Sequence, residues 1–286
     1  MKKFFAMLLA LTMILSLAAC GGSKKEEVKE EPKEETTETV ETPESDAAYI
    51  EGNGKLIIGY TVYEPMNYTD ANGTFTGFDT EYAEAICAKL GLEPEFVEIN
   101  WDTKEIELAG KTIDCIWNGM TITEERAANM SISLPYVKNA QVIVVKADST
   151  VASTADLVDA TVVAEMGSAG EAQVIGEEPN ADLAKAEYVG VAKQTDCLME
   201  VKAGTADAAV LDWTLAKSMV GEGTSFADLK MVDGLELATE EYGIAFRQGS
   251  DFTAKVDAAT LELVADGTLP ALAEKYGLAL APAIAD

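Results

Sequence analysis

Short apolar runs recur along this chain, each closed by a polar tip. Lys55–Gly59, Phe96–Ile99, Ile113–Trp117, Gln141–Val145, Val162–Met166, Ala208–Leu211 and Tyr242–Phe246 are mostly apolar and flanked by polar turn-formers, so they predict buried strands. Helical patterns fall between them. One opens at Gly77-Phe78-Asp79, with Asp79 as N-cap, and stops at Gly91 after Leu90. Thr123 caps a short helix whose first turn carries Glu124, Glu125 and Arg126. Ser168 and Glu171 form a capping-box pattern. Asp251 to Gly267 reads as an amphipathic helix and Pro270 to Tyr276 as a shorter one, with a loose tail after Leu278. Strands alternating with helices predict an α/β fold with a parallel-dominated sheet. In such sheets ligands sit beyond the carboxyl ends of strands. Tyr63, Trp101 and Asn118–Thr121 all follow strand ends, so they converge.

Two stretches echo each other. Ala109-Gly110 leads through Asp114 into a strand ending at Asn118, and Ala203-Gly204 leads through Asp207 into a strand ending at Asp212-Trp213. Two similar lobes with polar strand tips imply a cleft between them. Arg126 lies beside Gly119 and Thr121, where glycine frees the backbone. A guanidinium fork with loose backbone N–H donors is a carboxylate receptor. The alternative is a surface arginine paired with Glu124 or Asp102. Gly167 before the Ser168 cap makes a helix N-terminus suited to an anion, or simply a cap. Asp212, a carboxylate at a strand tip, suits an ammonium ion; the alternative is a salt bridge to Lys217.

Charge and composition then remove whole classes. The net charge of −29 argues against nucleic acid, which needs a basic footprint. The chain has no histidine, so the commonest general base and metal ligand is missing, and neither metal nor cofactor is expected. Residues 1–20 form a targeting segment, with Lys2 and Lys3 before the apolar Phe4 to Leu17. Leu17-Ala18-Ala19-Cys20 resembles a lipoprotein processing box with lipid on Cys20; the alternative is an ordinary signal peptide. Residues 21–48 are Glu-, Lys-, Thr- and Pro-rich, predicting a disordered tether. Of the other cysteines, Cys87, Cys115 and Cys197 read as small core residues, with a Cys87–Cys115 disulfide as the other possibility.

Gly110, Asp114, Gly119-Met120-Thr121, Thr123 to Arg126 and Ser133-Leu134-Pro135-Tyr136 together resemble the bacterial extracellular solute-binding proteins that capture polar amino acids for ATP-driven importers. Gly77-Phe78-Asp79 and most of the chain from Leu56 to Gly277 share the resemblance. It implies a two-lobed periplasmic-binding-protein-like fold of type II, with lobe 1 at 49–139 plus 242–286, lobe 2 at 140–241, and two crossing strands as hinge. A free L-amino acid would sit between the lobes. Arg126 would take its carboxylate, helped by N–H groups at Thr121 and Ser168–Ala169. Asp212 and the Gly119 carbonyl would take its ammonium, beside Asn118. Tyr63, Trp101 and Trp117 would sandwich its side chain. The family often carries an acidic residue where this chain has Tyr60-Thr61, so the usual contact there is not expected. The implied protein is a lipid-anchored, palmitate-bearing monomer on the outer face of the cell membrane. Its implied partners are permease subunits of an ABC transporter. Two other readings share the fold: a cyclohexadienyl-dehydratase-like enzyme using Glu165 or Asp212, and an amino-acid sensor head. The residues do not say which amino acid binds, nor what Glu165 does.

Overall fold

The computed structural model describes residues 45–285; the targeting segment, Cys20 and the tether as far as residue 44 lie outside the described residues. The strands are β1 (Lys55–Tyr60), β2 (Tyr68–Thr69), β3 (Phe75–Thr76), β4 (Glu93–Glu98), β5 (Cys115–Thr121), β6 (Ser131–Ile132), β7 (Val137–Lys146), β8 (Thr161–Glu165), β9 (Glu187–Val191), β10 (Ala208–Asp212) and β11 (Leu229–Phe246). The helices are α1 (Asp46–Asn53), α2 (Phe78–Leu90), α3 (Lys104–Ala109), α4 (Glu124–Asn129), α5 (Ala169–Ile175), α6 (Gln194–Ala203), α7 (Trp213–Met219), α8 (Phe252–Ala265), α9 (Thr268–Tyr276) and α10 (Pro282–Ala285). None is long and apolar enough to cross a membrane among the described residues.

Apart from the β2–β3 hairpin, the strands join in the order β4-β1-β5-β11-β7-β10-β8-β9, with β6 on β11. β4, β1 and β5 run parallel in one lobe, and β9, β8 and β10 run parallel in the other. Each trio is closed by an antiparallel crossing strand, β11 on β5 and β7 on β10, and these two pair with each other. The expected parallel-dominated sheet is therefore mixed, because the chain passes between lobes twice in opposite senses.

The echo between the lobes has a physical basis. Asp114, just before β5, accepts from Ile57 N (3.0 Å) and donates its own N–H to Ile57 O (2.7 Å). Asp207, just before β10, accepts from Thr161 N (2.9 Å) and donates to Thr161 O (2.9 Å). Each aspartate pins its strand to the first strand of the trio, which aligns the two strand tips along the cleft.

The pleat sorts the apolar residues onto two buried faces. Val142, Val144, Ala209 and Leu211 join the large core with Leu56, Ile58 and Phe78, while Ile143, Val145, Ala208 and Val210 enter a second cluster. Trp117 follows Cys115 into the large core, where its ring meets Tyr82 edge-on at 4.8 Å. It is therefore a packing residue and not a wall for ligand: its neighbour Ile116 takes the opposite face. Cys87, Cys115 and Cys197 are buried free thiols, so the disulfide alternative does not hold.

Three further expectations change. Asp79 is not the N-cap of α2, a position held by Gly77; its buried carboxylate accepts from Gly119 N (2.7 Å) and Tyr136 Oη (3.0 Å). The folded body begins before Tyr49, because Ser45 Oγ and Ala47 N reach Asp251 and Asp46 pairs with Arg247 at 2.6 Å. The segment from Ala279 to Ala285 is not loose: Ala281 N donates to Tyr136 O (3.0 Å), and Ile284 is buried.

Candidate ligand-binding site

β5 runs on past Asn118 to Thr121. Gly119 has φ +58°, and a Cβ there would stand 2.8 Å from the Tyr63 ring, so the residue must be glycine. Tyr63 packs over it and meets Tyr242, hydroxyl to hydroxyl, at 2.6 Å. Asn118 lines the cleft, but its polar atoms are used within its own lobe, on Thr61 and Asn67. Thr123 caps α4 by accepting from Arg126 N (3.1 Å), which places the guanidinium inward. Arg126 is buried; Nη1 donates to Thr121 O (2.8 Å) and Nη2 to Gly167 O (3.0 Å). Neither Glu124 nor Asp102 pairs with it, and no carboxylate makes a salt bridge to it among the described residues. Burial holds its pKa below the usual arginine value.

The facing lobe presents the tips of β8 and β10. Ser168 caps α5 through Glu171 N (3.0 Å), but the reciprocal bond goes from Gly167 N to Glu171 Oε2 (2.7 Å), one residue earlier than in a capping box. The Ser168 N–H is held by Glu165 O at 3.2 Å. Asp212 makes no pair with Lys217, which bonds Gly277 O instead. It accepts from Asn139 Nδ2 (2.7 Å), Gln141 Nε2 (2.5 Å) and Gln194 Nε2. The first two amides also donate to Glu240 Oε1, at 2.6 and 2.8 Å, as does Thr121 Oγ1 at 2.9 Å. Burial raises Asp212, and burial beside Asp212 raises Glu240 to about 7.

Tyr63, Trp101, Asn118, Gly119, Thr121, Arg126, Ser168, Ala169 and Asp212 thus surround one cavity, together with Glu165 and Gln194. Trp117 is the one predicted site residue outside it. The lobes are closed on each other, leaving a cavity of about 10 Å³, room for about one water. A larger groove bordered by Ile122, Pro135, Trp213 and Thr239 meets this region only through Asn139 and Glu240 and has no buried cation. Sequence reasoning missed Lys104, Gln194, Glu240 and the Asn139–Gln141 pair. Lys104 is buried and donates to Trp101 O (3.1 Å) and Gly167 O (2.9 Å), and burial lowers its pKa to about 8.

Gly167 O therefore receives both Lys104 and Arg126 across the cleft. Gly167 has φ +72°, and a Cβ there would sit 3.0 Å from Asp102 Cα and 3.3 Å from Trp101 O. Gly167→Ala is expected to prop the lobes apart and add left-handed strain of about 1–2 kcal/mol. Ligand affinity should fall about tenfold or more, and small-angle scattering should no longer show compaction on ligand addition. Normal compaction in the variant would show that this approach does not limit closure.

Comparison with known proteins supplies a family for this fold. The family model described as bacterial extracellular solute-binding proteins, family 3, matches residues 56–279. The arginine-binding extracellular protein ArtP of Bacillus subtilis is 30% identical over 283 residues, covering 96% of this chain and 98% of that protein. The L-cystine-binding protein TcyJ of Escherichia coli is 28% identical over 231 residues, covering 79% and 84%. Among solved structures, a mutant of ArgBP from T. maritima superposes with a TM-score of 0.74 at 34% identity, covering 81% of this chain and 99% of that one.

Proposed function

Because the chain belongs to the bacterial extracellular solute-binding proteins, family 3, we propose that it captures a free L-amino acid between its lobes and delivers it to an ABC importer. The observation that carries this reading is Arg126: a buried guanidinium with two carbonyl partners and no carboxylate, facing Asp212 across a polar cavity. A buried cation without a counter-ion is costly, so its retention points to an anion supplied from outside. In this reading the ligand carboxylate takes the fork of Arg126, displacing Gly167 O, with N–H groups of Thr121 and Ala169 nearby. Its ammonium goes to Asp212 and the Gly119 carbonyl. Tyr63 and Trp101 flank the side chain. Lobe 1 is assigned to 49–139 plus 242–286 and lobe 2 to 140–241, with β7 and β11 as the hinge.

The cavity holds about one water and not an amino acid, so the lobes must part for entry and then close around the ligand less tightly than they meet here. The protein acts as a monomer held to the membrane by lipid on Cys20, and its closed form docks on the permease. It is a carrier and not an enzyme. Calorimetric titration with the common L-amino acids tests this. One equivalent should bind and be recovered unchanged; turnover of prephenate or arogenate would overturn the carrier reading.

A further inference from the structure

Glu165 has no part in gripping the zwitterion. It ends β8 with its side chain in the cavity wall, is 2% exposed, and its Oε1 has no hydrogen-bond partner. Every other charged group of the site is engaged. Asp212 holds three amides, Glu240 holds two amides and a hydroxyl, and Lys104 is bonded to two carbonyls. From β8 and the elements packed on it, Glu165 faces Asp212, Asp196, Lys104 and the Gln194 amide. Lys104 is the one cation among these, and the carbonyls of Trp101 and Gly167 fix its ammonium.

We propose that Glu165, supported by the Gln194 amide, receives a cationic side chain, making this a binder of basic amino acids. The inference rests on the amino-acid reading above and names the substrate class of that same cleft. Burial, with Asp212 nearby, holds Glu165 well above the usual carboxylate range, and a neutral amide or hydroxyl on the ligand supplies a donor without relieving the cost of ionising it. An ammonium or guanidinium does both. The pairing within the cavity agrees. The carboxylate of a zwitterion answers Arg126 and its ammonium answers Asp212, which leaves Glu165 as the one lining carboxyl without a counter-charge from the ligand.

The test is titration calorimetry of the purified protein with L-arginine, L-lysine, L-glutamine and L-alanine, repeated on Glu165→Gln. The wild type should bind arginine or lysine at least tenfold more tightly than glutamine. Glu165→Gln, nearly isosteric, should lose at least tenfold for the basic ligand and change less than threefold for glutamine. A wild type that binds glutamine or alanine as tightly as the basic pair overturns the proposal and leaves amino-acid capture standing. So does a variant with unchanged preference. Binding of none of the amino acids overturns both readings. The wild-type preference decides the matter even where the variant folds poorly.

Discussion

Replacing Arg126 by methionine is expected to weaken amino-acid binding at least a hundredfold while the unliganded protein melts at the same temperature or higher. The two readouts move apart for one reason. In the folded, unliganded protein the guanidinium is desolvated against carbonyl oxygens of Thr121 and Gly167, with no carboxylate in salt-bridge contact. Its burial therefore costs free energy that two neutral acceptors do not recover, and an apolar side chain of similar length removes that cost. In the complex the same guanidinium meets a carboxylate, and losing a buried charged partner costs about 2–5 kcal/mol. Three kcal/mol of that range corresponds to roughly a hundredfold in affinity. Arg126→Lys keeps the charge but not the planar fork, so it should fall between wild type and methionine. Calorimetry gives the affinities and a thermal melt gives the stability. A methionine variant that still binds within tenfold of wild type would remove Arg126 from the site. One that melts much lower would make the arginine a structural clamp between lobes.

What could be read from the residues alone divides along a physical line. The tip of β10 was legible, because a short apolar run closes at Asp212-Trp213, whereas β5 runs three residues past its expected end at Asn118 because β11 pairs with it as far as Thr121. Arg126 was legible because the Thr123 cap fixes its place in the first turn. Side-chain direction was less so. Trp117 and Asn118 are adjacent, and only the pleat decides that one enters the core and the other borders the cleft. Asp79 fits an N-cap pattern, yet its partner Gly119 lies 40 positions away and draws the carboxylate inward. Glu240 and Lys104 carried no local signal. One sits in a strand that reads as a crossing segment, and the other in a helix whose outer positions are as polar as its inner one. Their importance exists only once the lobes meet, and contacts between distant segments leave no periodicity behind. The same holds at both ends of the folded body, where Ser45, Asp46 and Ile284 are anchored by partners far along the chain.

The Asp212–Glu240 pair makes amino-acid affinity depend on pH, and the expected loss is about thirtyfold between pH 8 and pH 5.5. Both carboxylates accept from the same two amide nitrogens, Asn139 Nδ2 and Gln141 Nε2, at 2.5–2.8 Å, so their oxygens crowd together. Thr121 Oγ1 and Gln194 face them as further donors, the hydroxyls of Tyr63 and Tyr242 stand near, and Arg126 and Glu165 contribute from across the cavity. Like charges this close do not both ionise cheaply, and burial raises the pair further, with Glu240 at about 7. Below that value the unliganded pair holds a proton. A ligand ammonium supplies the positive charge instead, so binding expels the proton, and affinity drops up to tenfold per unit as pH falls below about 7. Above 7 it should level off. The unliganded protein moves the other way. A carboxyl whose folded pKa is raised favours the folded state below its unfolded pKa, near 4.5, and that contribution is lost as pH rises toward 7. Its melting temperature should therefore decline from pH 5 to pH 8 while the ligand-induced rise grows. Titrations in buffers of different ionisation enthalpy should count up to one proton released near pH 6, and Glu240→Gln should flatten the profile. Wild-type affinity that stays constant from pH 5.5 to 8 would mean that the ammonium does not reach this pair.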